Sequence, residues 1–232
     1  MDLCMSKDVW GSKYKDLTVM ADYRVHEKVI EILKRRNLDT CHLLDIACGE
    51  GALTQRIKDY FPDYEIDVND INPDNIKFNN FKHIYGLDLN KSFSFRDQYD
   101  LVIAIEIIEH LENPWSFLRG VKTILKKGGQ LILSTPNINS IKDRIFFLVE
   151  GYHIYFGKRG IENSSGHINM IPRWEFEYIC SKIGMPILHV DYIGELPSGW
   201  RTKLIKPLFF PFFSFMKDKN DASIYIFSVS NP

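Results

Sequence analysis

The chain has 232 residues, 45% of them hydrophobic, with 29 basic and 30 acidic side chains. That length accommodates one sizeable α/β domain, and charges so nearly balanced supply no global field for nucleic acid or an anionic membrane surface. Cys4, Cys41, Cys48 and Cys180 are far apart without paired spacing, which argues against a disulfide framework or a zinc site and suits a reducing cytosol.

In chain order, the N-terminus carries Asp2, Lys7 and Asp8 with no apolar core of signal-peptide length, and no run reaches the roughly 18 apolar residues of a membrane span. A cytoplasmic location is the expectation. Residues 1 to 23 mix Trp10, Tyr14 and Tyr23 with polar residues. Val25, Val29, Ile30, Ile32 and Leu33 then recur at helical spacing, which predicts a helix from about Arg24 to Arg36 packed on a sheet.

From His42 to Thr54, Leu43 and Leu44 lead to Asp45, and the run breaks at Gly49-Glu50-Gly51. This reads as a buried strand, a tight turn and a helix start. Glycine permits φ > 0 and close approach of a ligand to the backbone, and the next helix offers unpaired N–H groups. A dinucleotide fingerprint requires a third glycine where Thr54 stands; an ordinary strand-to-helix turn is the competing reading. The stretch Asp45-Ile46-Ala47-Cys48-Gly49-Glu50-Gly51 resembles the first motif of the class I S-adenosylmethionine-dependent methyltransferases, with Ala47 where that family usually has glycine. The resemblance implies S-adenosylmethionine as cofactor, with S-adenosylhomocysteine as product, held by Asp45, Ala47, Cys48, Gly49 and Gly51. It also implies that Tyr14 closes over the cofactor, against a simple packing role.

Leu53 and Ile57 predict a helix ending near Pro62, and Tyr64 to Asn69 a second strand running into Asp70-Ile71-Asn72-Pro73. An acid about 20 residues beyond the glycine turn is placed to accept ribose hydroxyls, and Ile71 adjoins it. Asn72 with Pro73 makes a helix start, so capping does not require Asp70. A third strand, His83 to Leu87, delivers Asp88 and Leu89, where the resemblance implies an acid on the adenine amino group and a backbone N–H on the ring. The alternative for Asp88 is a solvated loop aspartate. Tyr99 to Ile105 is continuous apolar sequence after one acid, as in a central parallel strand covered on both faces. The following Glu106-Ile107-Ile108-Glu109-His110-Leu111 closely resembles the post-strand motif of the subgroup that includes the ubiquinone-pathway O-methyltransferases, and adds Ile105 and Glu106 to the implied cofactor set.

Asn113 and Pro114 start a helix carrying Trp115, Leu118, Val121, Ile124 and Leu125, which Gly128-Gly129 is expected to end as a left-handed cap. Strand five is Gln130 to Thr135. Strand and helix alternate to this point, which predicts a parallel sheet with ligands at the carboxyl ends of its strands. Between Asn137 and Ile171 the alternation fails, and this aromatic insertion is the expected place of substrate specificity. His167 precedes a helix starting near Pro172. A histidine there matches the methyltransferase subgroup and could take a proton from an acceptor hydroxyl, or merely tie down the loop; His110 is the second candidate. Ile187 to Tyr192 and Ser223 to Val229 are the last strands, with Ile224, Ile226 and Ser228 alternating against Tyr225, Phe227 and Val229.

The fold expected is therefore one α/β Rossmann-like domain over residues 1–232, a doubly wound sheet of seven strands, mostly parallel with an antiparallel last strand and helices on both faces. Within residues 195–220, the aromatic stretch 204–216 contains Pro207 and Pro211, which exclude an uninterrupted helix; it is a lid, a homodimer contact or a peripheral membrane contact. The expected activity is methyl transfer to an oxygen of a small-molecule, sugar or lipid-linked acceptor, without nucleic acid as partner. A non-catalytic binding protein and an NAD-dependent oxidoreductase are the rivals, the latter disfavoured by Thr54.

Overall fold

Leu43, Leu44, Val68 and Leu101 through Ala104 are fully shielded from solvent, as strands covered on both faces must be. A computed structural model describes residues 12–78, 80–85, 87–94, 96–156, 166–194 and 222–232; Trp10 and the stretch 204–216 lie outside them. The strands β1 (His42–Ile46), β2 (Glu65–Asn69), β3 (Lys82–His83), β4 (Tyr99–Ala104), β5 (Leu125–Pro136), β6 (Ile187–Ile193) and β7 (Ile224–Ser230) form one sheet in the order β3-β2-β1-β4-β5-β7-β6. Pairing is parallel from β3 to β5, and β7 runs antiparallel to both β5 and β6. The expected seven-stranded sheet with an antiparallel last strand is the one observed.

Alternation along each strand divides the core in two. On one face, Leu43, Leu101, Ile103, Ile132 and Ile226 pack against Val25, Val29 and Leu33 of α1 (Tyr23–Arg36) and Leu53 and Ile57 of α2 (Ala52–Tyr60). On the other, Leu44, Val102, Leu131 and Phe227 meet Phe117, Leu118 and Val121 of α3 (Pro114–Ile124) and Phe176 and Ile179 of the helix Arg173–Ile183. At roughly 1.5–3 kcal/mol for each fully buried large apolar side chain, these two layers dominate the stabilisation. A ribbon of Lys13–Tyr14 against Leu17–Thr18 leads into α1, which starts at the Asp22 cap.

Three local expectations are corrected. Helix α3 ends at Ile124 and the chain enters β5 at once, with Leu125 extended, so Gly128-Gly129 does not cap it. The pair instead receives the C-terminal segment: Gly128 N–H donates to Asn231 O at 2.6 Å and Asn231 N–H to Gly129 O at 2.8 Å. A Cβ on Gly129 would stand 2.9 Å from Tyr99 O. Strand β3 is only two residues long, because its partner β2 ends at Asn69, whose Nδ2 donates to Ile84 O at 2.9 Å. The segment after Asn137 contains a helix, α4 (Ile141–Glu150), capped by Ser140, whose Oγ accepts from Asp143 N–H at 3.1 Å. Its periodicity is obscured because Phe147, Leu148 and Val149 are consecutive and all exposed. The helix Arg173–Ile183, now α5, ends at Gly184 as expected. No helix among the described residues is long and apolar enough to cross a membrane.

Candidate functional site at the carboxyl ends of the strands

The order of strands reverses between β1 and β4, and in an open parallel sheet that switch point opens a crevice beyond the carboxyl ends. Both strands leave the sheet there in strained conformations: Ala47 has φ +56° and Glu106 φ +50°. Non-glycine residues in that region are uncommon and cluster at functional sites.

Asp45, at the end of β1, is buried and accepts a hydrogen bond from Thr54 Oγ1 at 2.5 Å. Burial pushes its carboxyl up to about 7, opposed by the Thr54 hydrogen bond. Thr54, the residue that breaks the dinucleotide pattern, thus ties α2 to β1. Cys48 N–H donates to Asn69 O at 2.9 Å and Gly51 N–H to Cys48 O at 2.9 Å, closing the turn. Gly49 has φ +56° and Gly51 φ +86°. The Asp70 carboxylate at the end of β2 accepts from Gly49 N–H at 2.9 Å through Oδ2. Its Oδ1 accepts from Asn72 N–H at 3.0 Å and Asn75 Nδ2 at 3.1 Å. Asn72 caps the short turn Pro73–Asn75 through its own side chain, and Asp70 adds two further hydrogen bonds to the same turn.

The other expected residues take varied positions. Ile71 is 73% exposed. Asp88 pairs with Lys91 at 3.0 Å and accepts from Asn90 N–H, and the lysine holds its carboxyl below the ordinary value. Leu89 is buried in the core, which leaves only its main chain for a ligand. Ile105 packs half-buried on the α1 side. Tyr14 donates to Asp59 Oδ2 at 2.6 Å and its ring lies under Arg56, both on α2.

Beyond β4, Ser134 Oγ of β5 donates to Glu106 Oε1 at 2.6 Å, and Glu106 N–H lies 3.0 Å from the same hydroxyl. Desolvation raises the Glu106 carboxyl to about 7, Ser134 opposes, and the Asp22 carboxylate adds to the rise. Glu109 is wholly buried and accepts from Thr135 Oγ1 at 3.1 Å. Burial, then the Glu106 charge, raises it well above the ordinary range. His110 and His167 meet edge to face with ring centroids 4.6 Å apart. His167 Nε2 lies 3.9 Å from Glu109 Oε1. This meeting is built by the backbone, since Ile168 and Asn169 N–H both donate to Glu109 O at 2.9 Å. Burial, and then the neighbouring His110, depress the His167 imidazole to about 4.

Sequence reasoning missed Asp22, Thr54, Glu109 and Ser134 as site residues. Glu109 was visible as the second acid of the Glu106 to Leu111 motif; the others had no signal before the strands were placed. A cavity of 910 Å³ between α5 and β6, lined by Arg173, Glu177 and Tyr192 among others, contains none of the residues above.

A family described as a methyltransferase domain matches residues 20–190. The chain is 26% identical over 125 residues to malonyl-[acyl-carrier protein] O-methyltransferase of Hahella chejuensis, covering 51% of this chain and 43% of that protein. It is 27% identical over 115 residues to ubiquinone biosynthesis O-methyltransferase of Xanthomonas oryzae pv. oryzae, covering 44% and 46% respectively. The chain thus spans less than half the length of these two relatives. Magnesium protoporphyrin IX methyltransferase of Synechocystis PCC 6803, solved with bound SAH, superposes with a TM-score of 0.60 at 13% identity, covering 90% of this chain and 83% of that one.

Proposed function

For a chain that belongs to the methyltransferase domain family, we propose transfer of the methyl group of S-adenosylmethionine to an oxygen of a small-molecule, sugar or lipid-linked acceptor. The observation that carries this reading is the pair of left-handed residues, Ala47 and Glu106, at the adjoining ends of β1 and β4, with the Asp70 carboxylate held on Gly49 N–H at 2.9 Å. A carboxylate has about four lone-pair sites, and three protein donors use the Asp70 carboxylate, so it retains capacity for a ribose hydroxyl. Asp45 stiffens the turn through Thr54. Asp88 and the main chain of Leu89 are assigned to the adenine, with Ile105 beside it. Glu106, paired with Ser134, faces the methionine half.

The cofactor supplies a methyl already made electrophilic by its sulfonium, so the protein mainly aligns the acceptor and excludes water. His167, and second His110, are assigned to the acceptor hydroxyl; burial keeps both neutral, which leaves a lone pair for the proton while opposing the imidazolium that accepting it would form. The oxygen preference draws support from the names of the two relatives above.

The test is transfer of a labelled methyl group from S-adenosylmethionine across a panel of phenolic, sugar and lipid-linked hydroxyl compounds, alongside calorimetry with S-adenosylhomocysteine. Turnover with at least one hydroxyl acceptor is expected. His167→Ala is expected to lower that turnover by roughly 10²–10⁴ with cofactor affinity intact. Binding without turnover would leave a non-catalytic cofactor-binding protein; no binding would remove the reading.

A further inference from the structure

His42 opens β1 and Glu65 opens β2, and the parallel pairing of the two strands sets His42 opposite Glu65 and Leu44 opposite Asp67. Side chains two apart on a strand share a face, so His42, Glu65 and Asp67 stand together on the face of Leu44 and Tyr99. One ligand atom from each lies within 4.8 Å of the other two. These are the amino ends of the strands, opposite the crevice, so a site there is independent of the methyl-transfer reading.

Two of the three groups are left incomplete by the protein. Asp67 is 1% exposed, yet its Oδ1 has no hydrogen-bond partner among the described residues, and neither has the buried His42 Nε2. That nitrogen lies 3.4 Å from Asp67 Oδ2 without hydrogen-bonding to it. Buried polar atoms are ordinarily matched by a donor, an acceptor or an ion, and one cation satisfies both of these lone pairs at once. Tyr99 orients the two groups: its hydroxyl donates to Asp67 Oδ2 at 2.9 Å, and its ring centroid lies 4.5 Å from that of His42. A ligating carboxylate ordinarily has such an outer partner on its second oxygen.

We propose that His42, Glu65 and Asp67 bind one divalent transition-metal ion of the zinc, cobalt or manganese class. The imidazole suits such ions, whereas magnesium and calcium prefer oxygen ligands throughout. Bonds of about 2.0–2.2 Å in a tetrahedral site hold ligand atoms about 3.3–3.5 Å apart. The spacing of His42 and Asp67 is already of that size, and the exposed Glu65 side chain makes the remaining movement. Three protein ligands leave a fourth position for water. The ion ties the start of β1 to the start of β2 and stabilises the folded chain by mass action.

Lys82 competes for the same acid. Its Nζ lies 3.2 Å from Asp67 Oδ2 and 2.6 Å from Asp97 Oδ2, and its side chain is 53% exposed. Pairs made by an exposed ammonium contribute little, so Lys82 can yield Asp67 to the ion and keep Asp97. Removal of Lys82 should therefore tighten the metal, which a site made only of surface acids would not single out.

The experiment titrates the chelator-treated full chain with Co²⁺ and then Zn²⁺, without cofactor or acceptor, reading the visible Co²⁺ spectrum, calorimetric stoichiometry and the unfolding temperature. One saturable ion is expected, displaced by Zn²⁺ and not by excess Mg²⁺. His42→Ala and Glu65→Gln should each weaken it by about 100-fold or more, beyond the roughly 10-fold to 100-fold of an outer partner, which Tyr99→Phe should show. Lys82→Gln should tighten it by about 10-fold, through loss of a nearby like charge. His110→Ala, in the other acid and histidine cluster of the described residues, should leave this ion in place. Zn²⁺ should raise the unfolding temperature of the wild type more than that of His42→Ala. Circular dichroism checks each fold, and if His42→Ala unfolds, the exposed Glu65→Gln carries the same expectation. No saturable binding, full affinity in either ligand variant, or displacement by Mg²⁺ overturns the site.

Discussion

Asp70 joins two loops through one carboxylate, receiving Gly49 N–H on one oxygen and Asn72 N–H with Asn75 Nδ2 on the other. Asp70→Ala is therefore expected to weaken S-adenosylhomocysteine by about 1–3 kcal/mol, the loss typical of a charged hydrogen-bond partner, and unchanged calorimetric affinity would remove it from the ribose. His26 shows what burial does without a partner. It lies on the inner side of α1 with Nδ1 unpaired, and desolvation, then Arg56, depress its imidazole to about 3, with Asp22 opposing. The unfolded chain takes up a proton near pH 6.5 while the folded chain stays neutral until about 3, so stability is lost as pH falls through that window. Between pH 7.5 and pH 5 the loss assigned to His26 is about 2 kcal/mol. Urea unfolding at the two pH values should show that much less acid sensitivity in His26→Gln than in the wild type.

At the scale of elements, the glycine turn between β1 and α2 is both a ligand cradle and a packing surface. A Cβ on Gly51 would lie 1.6 Å from the Phe78 ring, and its φ is +86°. The sequence alone predicts that Gly51→Val keeps the fold and loses only the cofactor. The structure revises this, because the ring must move and the residue must hold a left-handed backbone. Gly51→Ala should cost about 1–3 kcal/mol in chemical denaturation. Phe78→Ala in the same chain should relieve the steric part and leave the backbone part, giving a non-additive cycle. Additive losses would mean that the two groups do not meet.

For the whole molecule, one sheet sets the crevice and two helical layers hold it. A ligand that binds only the folded state stabilises it by mass action, by about 2.7 kcal/mol at a hundredfold excess over Kd, and so raises the unfolding temperature. S-adenosylhomocysteine should do so and NADH should not; stabilisation by NADH alone would contradict the family's cofactor. The strands, the glycine turn and the acid after β2 were legible in the sequence because apolar period, turn residues and capping act over a few neighbouring positions. The alternation of Ile224 and Ile226 against Tyr225 and Phe227 likewise predicted the two faces of β7, and the two core layers separate as it requires. Tertiary structure alone decided that Thr54 satisfies Asp45, that Phe78 covers Gly51, and that Glu109 lies beside His167. The first needs the turn between β1 and α2 to be folded, and the other two depend on segments distant in sequence being brought together by the packing of whole elements, as when the main chain of Ile168 and Asn169 docks on Glu109 O. No local pattern encodes such a meeting, since its geometry exists only once the sheet has ordered the loops around it.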